Sequence, residues 1–280
     1  MEKNLDKADF EFLICDFANF FGGCRGLMLK KFTERSAFSR KAAGDLVGGL
    51  DKEMEARLFH FLPGILPYPI ISEETKHIWP SRYRNFWIID PVDGSFNFLA
   101  GLPIFGSMIG LIRNNRVVFS ALYLPVDDLL LGGGLYVAAK GCGAFKTNRL
   151  GARVRLRVSQ NQNFNEINLL LEGASRKFLR NERLRRMIDN SSIEHLSLRI
   201  CLSAAYSYTR LAAGNCFSAE ISALMTHQNK PWDNLPGGLL AEEAGAKVTD
   251  WEGNAPSVEN SSNWILGNEF IQPRILSLIG

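Results

Sequence analysis

A chain of 280 residues that is 46% hydrophobic and 22% charged can bury one large core or two modest ones, which excludes a disordered chain. Its 32 basic against 29 acidic side chains leave a formal charge of +3, too balanced for a surface that coats nucleic acid. Cys15, Cys24, Cys142, Cys201 and Cys216 include no C-x-x-C pair, which argues against a disulfide framework or thiolate zinc site and for a soluble protein of a reducing, cytoplasmic compartment.

In chain order, the N-terminus MEKNLDKADFEF alternates charge with apolar residues and lacks the continuous apolar core of a signal peptide. Over residues 5–32, Phe10, Leu13, Ile14, Phe17 and Phe21 recur at three- and four-residue spacing, predicting an amphipathic helix. A second helix is expected after Asp51. Short apolar or alternating runs at 86–89, 107–112, 117–124 and 129–138, separated by Asn114-Asn115, Pro125 and glycines, predict consecutive strands of an antiparallel sheet. The most apolar run, 129–139, is interrupted by Gly132, Gly133 and Gly134 and falls short of the roughly 20 residues a membrane helix needs. Those glycines, and Gly141-Cys142-Gly143, fit neither a P-loop nor a dinucleotide fingerprint and are expected as hairpin turns.

Past residue 160 the pattern is mixed: a strand at 168–171, a helix at 175–188, a strand at 196–202 and a helix at 203–213, with Ser203 as N-cap and Gly214 as its stop. The fold class expected is therefore a layered α+β or α/β sandwich, with an antiparallel N-terminal sheet and a mixed α/β C-terminal half. Two subdomains are expected, 1–155 carrying a metal site and 156–280 completing it. Arg176-Lys177-Phe178-Leu179-Arg180 and Arg183 to Arg186 form a basic segment that reads as a solvated helix face or, less in keeping with the chain's charge, an RNA contact.

Carboxylates mark the candidate site. In Trp87-Ile-Ile-Asp90-Pro-Val-Asp93-Gly-Ser95-Phe-Asn97-Phe98 an apolar strand runs into two aspartates; Pro91 is expected to halt the ladder and Gly94 to let the chain turn. Close aspartates repel unless a proton or cation lies between them, and hard oxygen ligands favour magnesium or calcium. The same pattern also fits an ordinary acidic turn. Glu73 and Glu74 follow the apolar Ile70-Ile71, and Asp233 opens a helical segment where the helix dipole favours a carboxylate. His60, His77, His195 and His227 form no metal-spaced cluster.

Taken in order, S-E-E, W-I-I-D-P-V-D-G-S-F-N-F and P-W-D-N-L-P-G-G-L-L-A-E-E-A-G-A resemble the inositol monophosphatase family of magnesium-dependent, lithium-sensitive phosphatases, and the resemblance extends to Gly44-Asp45-Leu46-Val47 with Asp51 and to Ser203-Ala-Ala. It implies hydrolysis of a small phosphate monoester, nominally inositol monophosphate, with fructose bisphosphate, a nucleotide 3′,5′-bisphosphate and histidinol phosphate as alternatives within the superfamily. A non-catalytic metal- or RNA-binding member is the second alternative. The resemblance implies Glu73, Asp90, Asp93, Asp233 and the Val92 carbonyl as magnesium ligands, and Ser95 with Asp51 holding the attacking water. It further implies Glu74 in support, Gly94, Ser95, Ser203 and Ala204 at the substrate, and a homodimer.

Three positions depart from the family's pattern: Ser72 and Leu202 stand where it has glycine, and Gly48 where it has threonine. No acidic residue precedes Trp232-Asp233 as in inositol-preferring members, the segment reading Met225-Thr-His-Gln-Asn-Lys230. An altered rather than a lost pocket is expected.

Overall fold

The structure is a computed structural model that describes residues 6–34, 38–40, 46–75, 83–148, 151–173, 180–190, 193–217 and 219–280. Gly44, Asp45, His77 and the Arg176 to Leu179 part of the basic segment lie outside the described residues.

Helix α1 (Lys7–Thr33) starts at a capping box in which Asp6 and Asp9 each accept the other's amide, at 2.9 and 3.1 Å. By length and composition α1 could cross a bilayer, yet Phe10, Leu13, Ile14, Phe17, Phe21, Cys24 and Met28 form one buried stripe on it. A two-stranded ladder, β1 (Phe38–Arg40) with β2 (Leu46–Gly48), leads into α2 (Gly49–Ile65), which contains Asp51 rather than following it.

The next elements are β3 (Ile70–Ser72), β4 (Phe86–Asp93), α3 (Ser95–Ala100), β5 (Gly106–Arg113), β6 (Arg116–Tyr123), α4 (Pro125–Leu130), β7 (Leu135–Ala139), β8 (Gly143–Thr147) and β9 (Arg153–Arg155). Their strands lie side by side in chain order as a seven-stranded sheet, antiparallel throughout except for the parallel β3–β4 pair. The run at 129–138 is not one strand. Pro125 at the first helical position, with Asp127 and Asp128 in the first turn, starts α4, and Leu129 and Leu130 are its end. Gly132 to Gly134 therefore join a helix to β7 instead of making a hairpin, whereas Gly141 to Gly143 do turn β7 into β8.

The second sheet comes from β10 (Glu166–Glu172), β11 (His195–Ile200), β12 (Ala223–Thr226), β13 (Lys247–Asp250) and β14 (Trp264–Gly267), in the order β11-β10-β12-β14-β13. Strand β10 is parallel to both neighbours, while β14 runs antiparallel to β12 and β13, so this half is mixed as expected. Its helices are α5 (Glu182–Ile188), α6 (Ala204–Ala212), α7 (Pro231–Glu243) and α8 (Ile271–Ile279). Gly214 begins a single 3₁₀ turn after α6 instead of simply stopping it. On α5, Arg183 pairs with Glu252 at 2.8 Å.

Alternation along the strands sorts the core into layers. Trp87, Ile89, Ile109, Leu111, Phe119 and Val137 face α1 and α2, while Ile88, Met108, Leu122, Tyr136 and Ala138 face α6 and α7. Leu170, Leu224 and Leu266 meet the same two helices from the second sheet, and Leu169, Leu171, Met225 and Ile265 face α5 and α8. The order is thus helices, sheet, helices, sheet, helices. The central strands are covered on both faces, which is why β4 and β7 read as continuous apolar runs, whereas the edge strands β9 and β11 stay largely exposed. In the central layer α7 packs unusually close: a Cβ on Gly237 would lie 2.3 Å from the Tyr208 ring and one on Gly238 2.4 Å from Trp264, so only glycine fits there.

Candidate active site

The ends of β3 and β4, the starts of α3, α6 and α7, and α2 converge beside the central helices. Strand β4 does not stop at Pro91. It continues to Asp93 through a register shift between Asp90 and Asp93, because a bulge takes up the residue that cannot donate to the ladder. The Ser107 hydroxyl donates to the Pro91 carbonyl at 2.6 Å, and the Val92 amide donates to Asp90 Oδ1 at 3.0 Å, which fixes that carboxylate against its own strand. Asp90, Asp93 and Asp233 then bring carboxylate oxygens within 4.8 Å of one another, the one such acidic or metal-ligating group among the described residues.

Each member is held by different elements. Asp93 accepts the Ala204 amide at 3.0 Å, the Ala205 amide at 2.9 Å and the Ser203 hydroxyl, so it sits on the N-terminus of α6. Ser203 and Ala204, expected at the substrate, bond Asp93 through these atoms. Asp233, in the first turn of α7, accepts the Lys230 amide at 3.1 Å. Behind it the wholly buried Asn234 bonds Thr226 Oγ1 at 3.0 Å, the Ser261 carbonyl at 2.7 Å and the Tyr208 hydroxyl at 2.8 Å.

Beyond β4 the chain turns at Gly94, whose φ of +79° lies in the left-handed region and whose added Cβ would come 2.8 Å from the Ile104 carbonyl. Ser95 therefore opens α3. Its hydroxyl lies 2.9 Å from Asp51 Oδ1 and 2.9 Å from the Val92 carbonyl, so the pair expected from sequence is in contact. Glu73 ends the β3 segment, its amide bonded to the Ile89 carbonyl at 3.2 Å; Glu74 follows, its amide 3.3 Å from Ser72 Oγ.

Electrostatically the cluster is unfavourable as a set of bare anions. Burial, then repulsion from Glu73, Asp93, Asp233 and Asp51, pushes the Asp90 carboxyl well above the ordinary carboxylate range. Burial, then Asp93 and Glu73, does the same to Asp233, partly opposed by the Lys230 amide. Burial also raises Asp93, to about 6, against the lowering effect of Ser203, Ala205 and Ala204. Buried carboxylates that each raise the others' proton affinity fit a divalent cation, which takes the place of the protons, and an all-oxygen donor set suits a hard one.

Sequence reasoning missed Asn97, Asn234 and Glu172. Asn97 Nδ2 reaches the carbonyls of Ile104 at 2.9 Å, Cys201 at 2.7 Å and Leu202 at 3.2 Å, tying α3 to the segment before α6. Asn97 and Asn234 each lie within a motif already singled out; Glu172 carries no such signal. Leu202 holds φ at +53°, the reason a glycine suits that position. Gly48 lies in β2, paired with Phe38. His60, His195 and His227 take no part in the carboxylate group.

Five alternating layers with a carboxylate group beside the middle one, Asp90 and Asp93 buried and Asp233 half-buried, are the frame of the metal-dependent phosphatases of one family. The chain belongs to the inositol monophosphatase family, whose model it matches over residues 15–279. It is 31% identical to the inositol-1-monophosphatase of Mesorhizobium japonicum over 248 residues, covering 86% of this chain and 85% of that one. It is 28% identical to the fructose-1,6-bisphosphatase/inositol-1-monophosphatase of Thermotoga maritima, covering 84% and 82%. Among solved structures, the Thermotoga maritima IMPase superposes with a TM-score of 0.77 at 25% identity over 98% of this chain and 97% of that one. An IMPase/NADP phosphatase complexed with Mg2+ and phosphate shares the fold, with a TM-score of 0.76 at 20% identity over 97% and 95%.

Proposed function

We propose that this phosphatase hydrolyses a small phosphate monoester, nominally inositol monophosphate, with magnesium held by Glu73, Asp90, Asp93, Asp233 and the Val92 carbonyl. The observation that carries this reading is the convergence of Asp90, Asp93 and Asp233 beside a bonded Ser95–Asp51 pair. When bound, magnesium supplies positive charge to the phosphate and leaving oxygen and acidifies the attacking water.

The chain's own groups supply orientation. With its proton directed to Asp51 Oδ1, the Ser95 hydroxyl keeps lone pairs to accept a hydrogen bond from water, aligning it for attack at phosphorus. The buried Asp51 carboxylate is the acceptor that makes this direction favourable. Backbone amides at Gly94 and Ser95 are the proposed donors to phosphate oxygens. Ser203 and Ala204 serve the substrate through Asp93, and Glu74 supports Glu73.

Fructose bisphosphate, a nucleotide 3′,5′-bisphosphate and histidinol phosphate remain alternative substrates, because no acidic residue stands just before Trp232-Asp233 to favour a polyol. We also propose a cytoplasmic homodimer. Exposed Leu130 and Leu131, at the end of the apolar run that begins at Leu129, line an open cavity of about 640 Å³ together with Arg199 of the edge strand β11, and this is the surface proposed for the second copy. The test is phosphate release from a panel of these esters with magnesium and with chelator. Chelator-sensitive release from one ester identifies the substrate, and silence across the panel with metal present sinks the reading.

A further inference from the structure

Glu172 is a buried acid that the mechanism above leaves unused. It ends β10 on the face turned toward α6 and α7, as Leu170 does, and is 3% exposed. Its carboxyl accepts the Ser207 hydroxyl, and its backbone carbonyl accepts the His227 amide at 3.1 Å, anchoring it to the end of β12. The first turn of α6 is thereby gripped from two sides. The Ser203 hydroxyl and the Ala204 and Ala205 amides go to Asp93; the Ser207 hydroxyl goes to Glu172, and the Ser207 amide donates to the Ser203 carbonyl at 3.0 Å. Ser203 and Ser207 thus link the two grips. Just before it, Leu202 holds a left-handed backbone that surrounding contacts must enforce.

Resting on the reading of Asp93 as a metal ligand, we propose that Glu172 is a positioning residue: it fixes the first turn of α6 and, through Ser203, the direction in which Asp93 presents its carboxylate to the metal. Burial raises Glu172 to about 8 against the lowering effect of Ser207 and Ser203, so near neutral pH it holds a proton and adds no further negative charge behind the cluster. Without this acceptor, the Ser207 hydroxyl loses a buried partner, and the turn has to shift to recover it.

The test is Mn2+ binding to the full chain, followed by water-proton relaxation, with the melting temperature of the metal-free protein measured alongside. E172L fills the space without an acceptor and is expected to weaken Mn2+ binding about tenfold, one unsatisfied donor's worth of free energy. E172Q keeps the acceptor and is expected to restore binding. Ser203→Ala should weaken binding less in the E172L background than alone, because both act through one turn. E172L that melts lower yet binds Mn2+ as wild type does, or E172Q as damaging as E172L, overturns the positioning role. Should E172L not fold, Ser207→Ala carries the same test, with unchanged Mn2+ binding overturning the proposal. A wild-type chain that binds no Mn2+ overturns the metal reading itself, an outcome distinct from a failure confined to the variants.

Discussion

In the presence of chelator, this protein should show the reverse of the usual effect of mild acid on stability. In the unfolded chain aspartates and glutamates titrate near 4 and are ionised from pH 6 to 8. In the fold, Asp93 is pushed up to about 6, Glu172 up to about 8, and Asp90 and Asp233 also lie well above the ordinary range. The metal-free fold therefore binds more protons than the unfolded chain across this window, and stability falls as pH rises through it. One retained proton corresponds to about 1.4 kcal/mol per pH unit, so Glu172 alone accounts for up to about 3 kcal/mol between pH 6 and 8. Its neighbours Cys201 and Tyr208 are both raised, by burial first and then by nearby carboxylates, and stay neutral there. For a chain of this size the change is roughly 5–10 °C in melting temperature. Calorimetric melting in chelator at pH 6, 7 and 8 measures it, and E172Q should flatten the slope. Saturating magnesium replaces the aspartates' protons, so its stabilisation should be largest at pH 8. A chelated protein that melts higher at pH 8 than at pH 6, or a magnesium increment independent of pH, refutes the reasoning.

Asp90→Asn should lower kcat/KM by at least about a thousandfold, roughly 4 kcal/mol of barrier, with the fold kept; steady-state assay retaining more than about a tenth of activity rules out a metal-bridging carboxylate. Ser95→Ala should reduce kcat by about 10²–10⁴-fold, and Ser95→Thr, which keeps the hydroxyl, should recover most of it; equal losses in the two variants exclude the water-orienting role. Leu202→Gly relieves a left-handed backbone at a side chain that is 44% exposed, and should raise stability by about 1 kcal/mol in denaturant titration, whereas a lower midpoint contradicts the strain.

What the sequence made legible is what local pattern encodes. Trp87-Ile-Ile before Asp90 reads as a strand because both faces of β4 are buried, and the stripe of phenylalanines on α1 reads as a helix for the same reason of periodic burial. The meeting of Asp233 with Asp90 and Asp93 could be expected only from the order of several motifs, since no local signal spans that separation. Where local signals competed, the apolar count over 129–138 misled, because Pro125 and the acids after it start a helix before the strand begins. Ser203 was correctly expected as the cap of α6, but that the cap also holds Asp93 depends on a residue far along the chain. Glu172 lies in no motif, and Asn97 and Asn234, though inside motifs, have partners that no local pattern names; these roles exist only through the backbone and side-chain groups the fold carries to them.

The grip of α6 on Asp93 also bears on how the protein is made. Asp93 and the Ala204 amide that holds it lie 111 positions apart, and Asp233 follows later still. A nascent chain emerging from the ribosome N-terminus first carries Asp90 and Asp93 long before it has the helices that hold and complete them, so until then they stay solvated and ionised. The metal site proposed above would therefore be completed only late in biosynthesis, and a chain terminated before Asp233 would lack one of its proposed ligands.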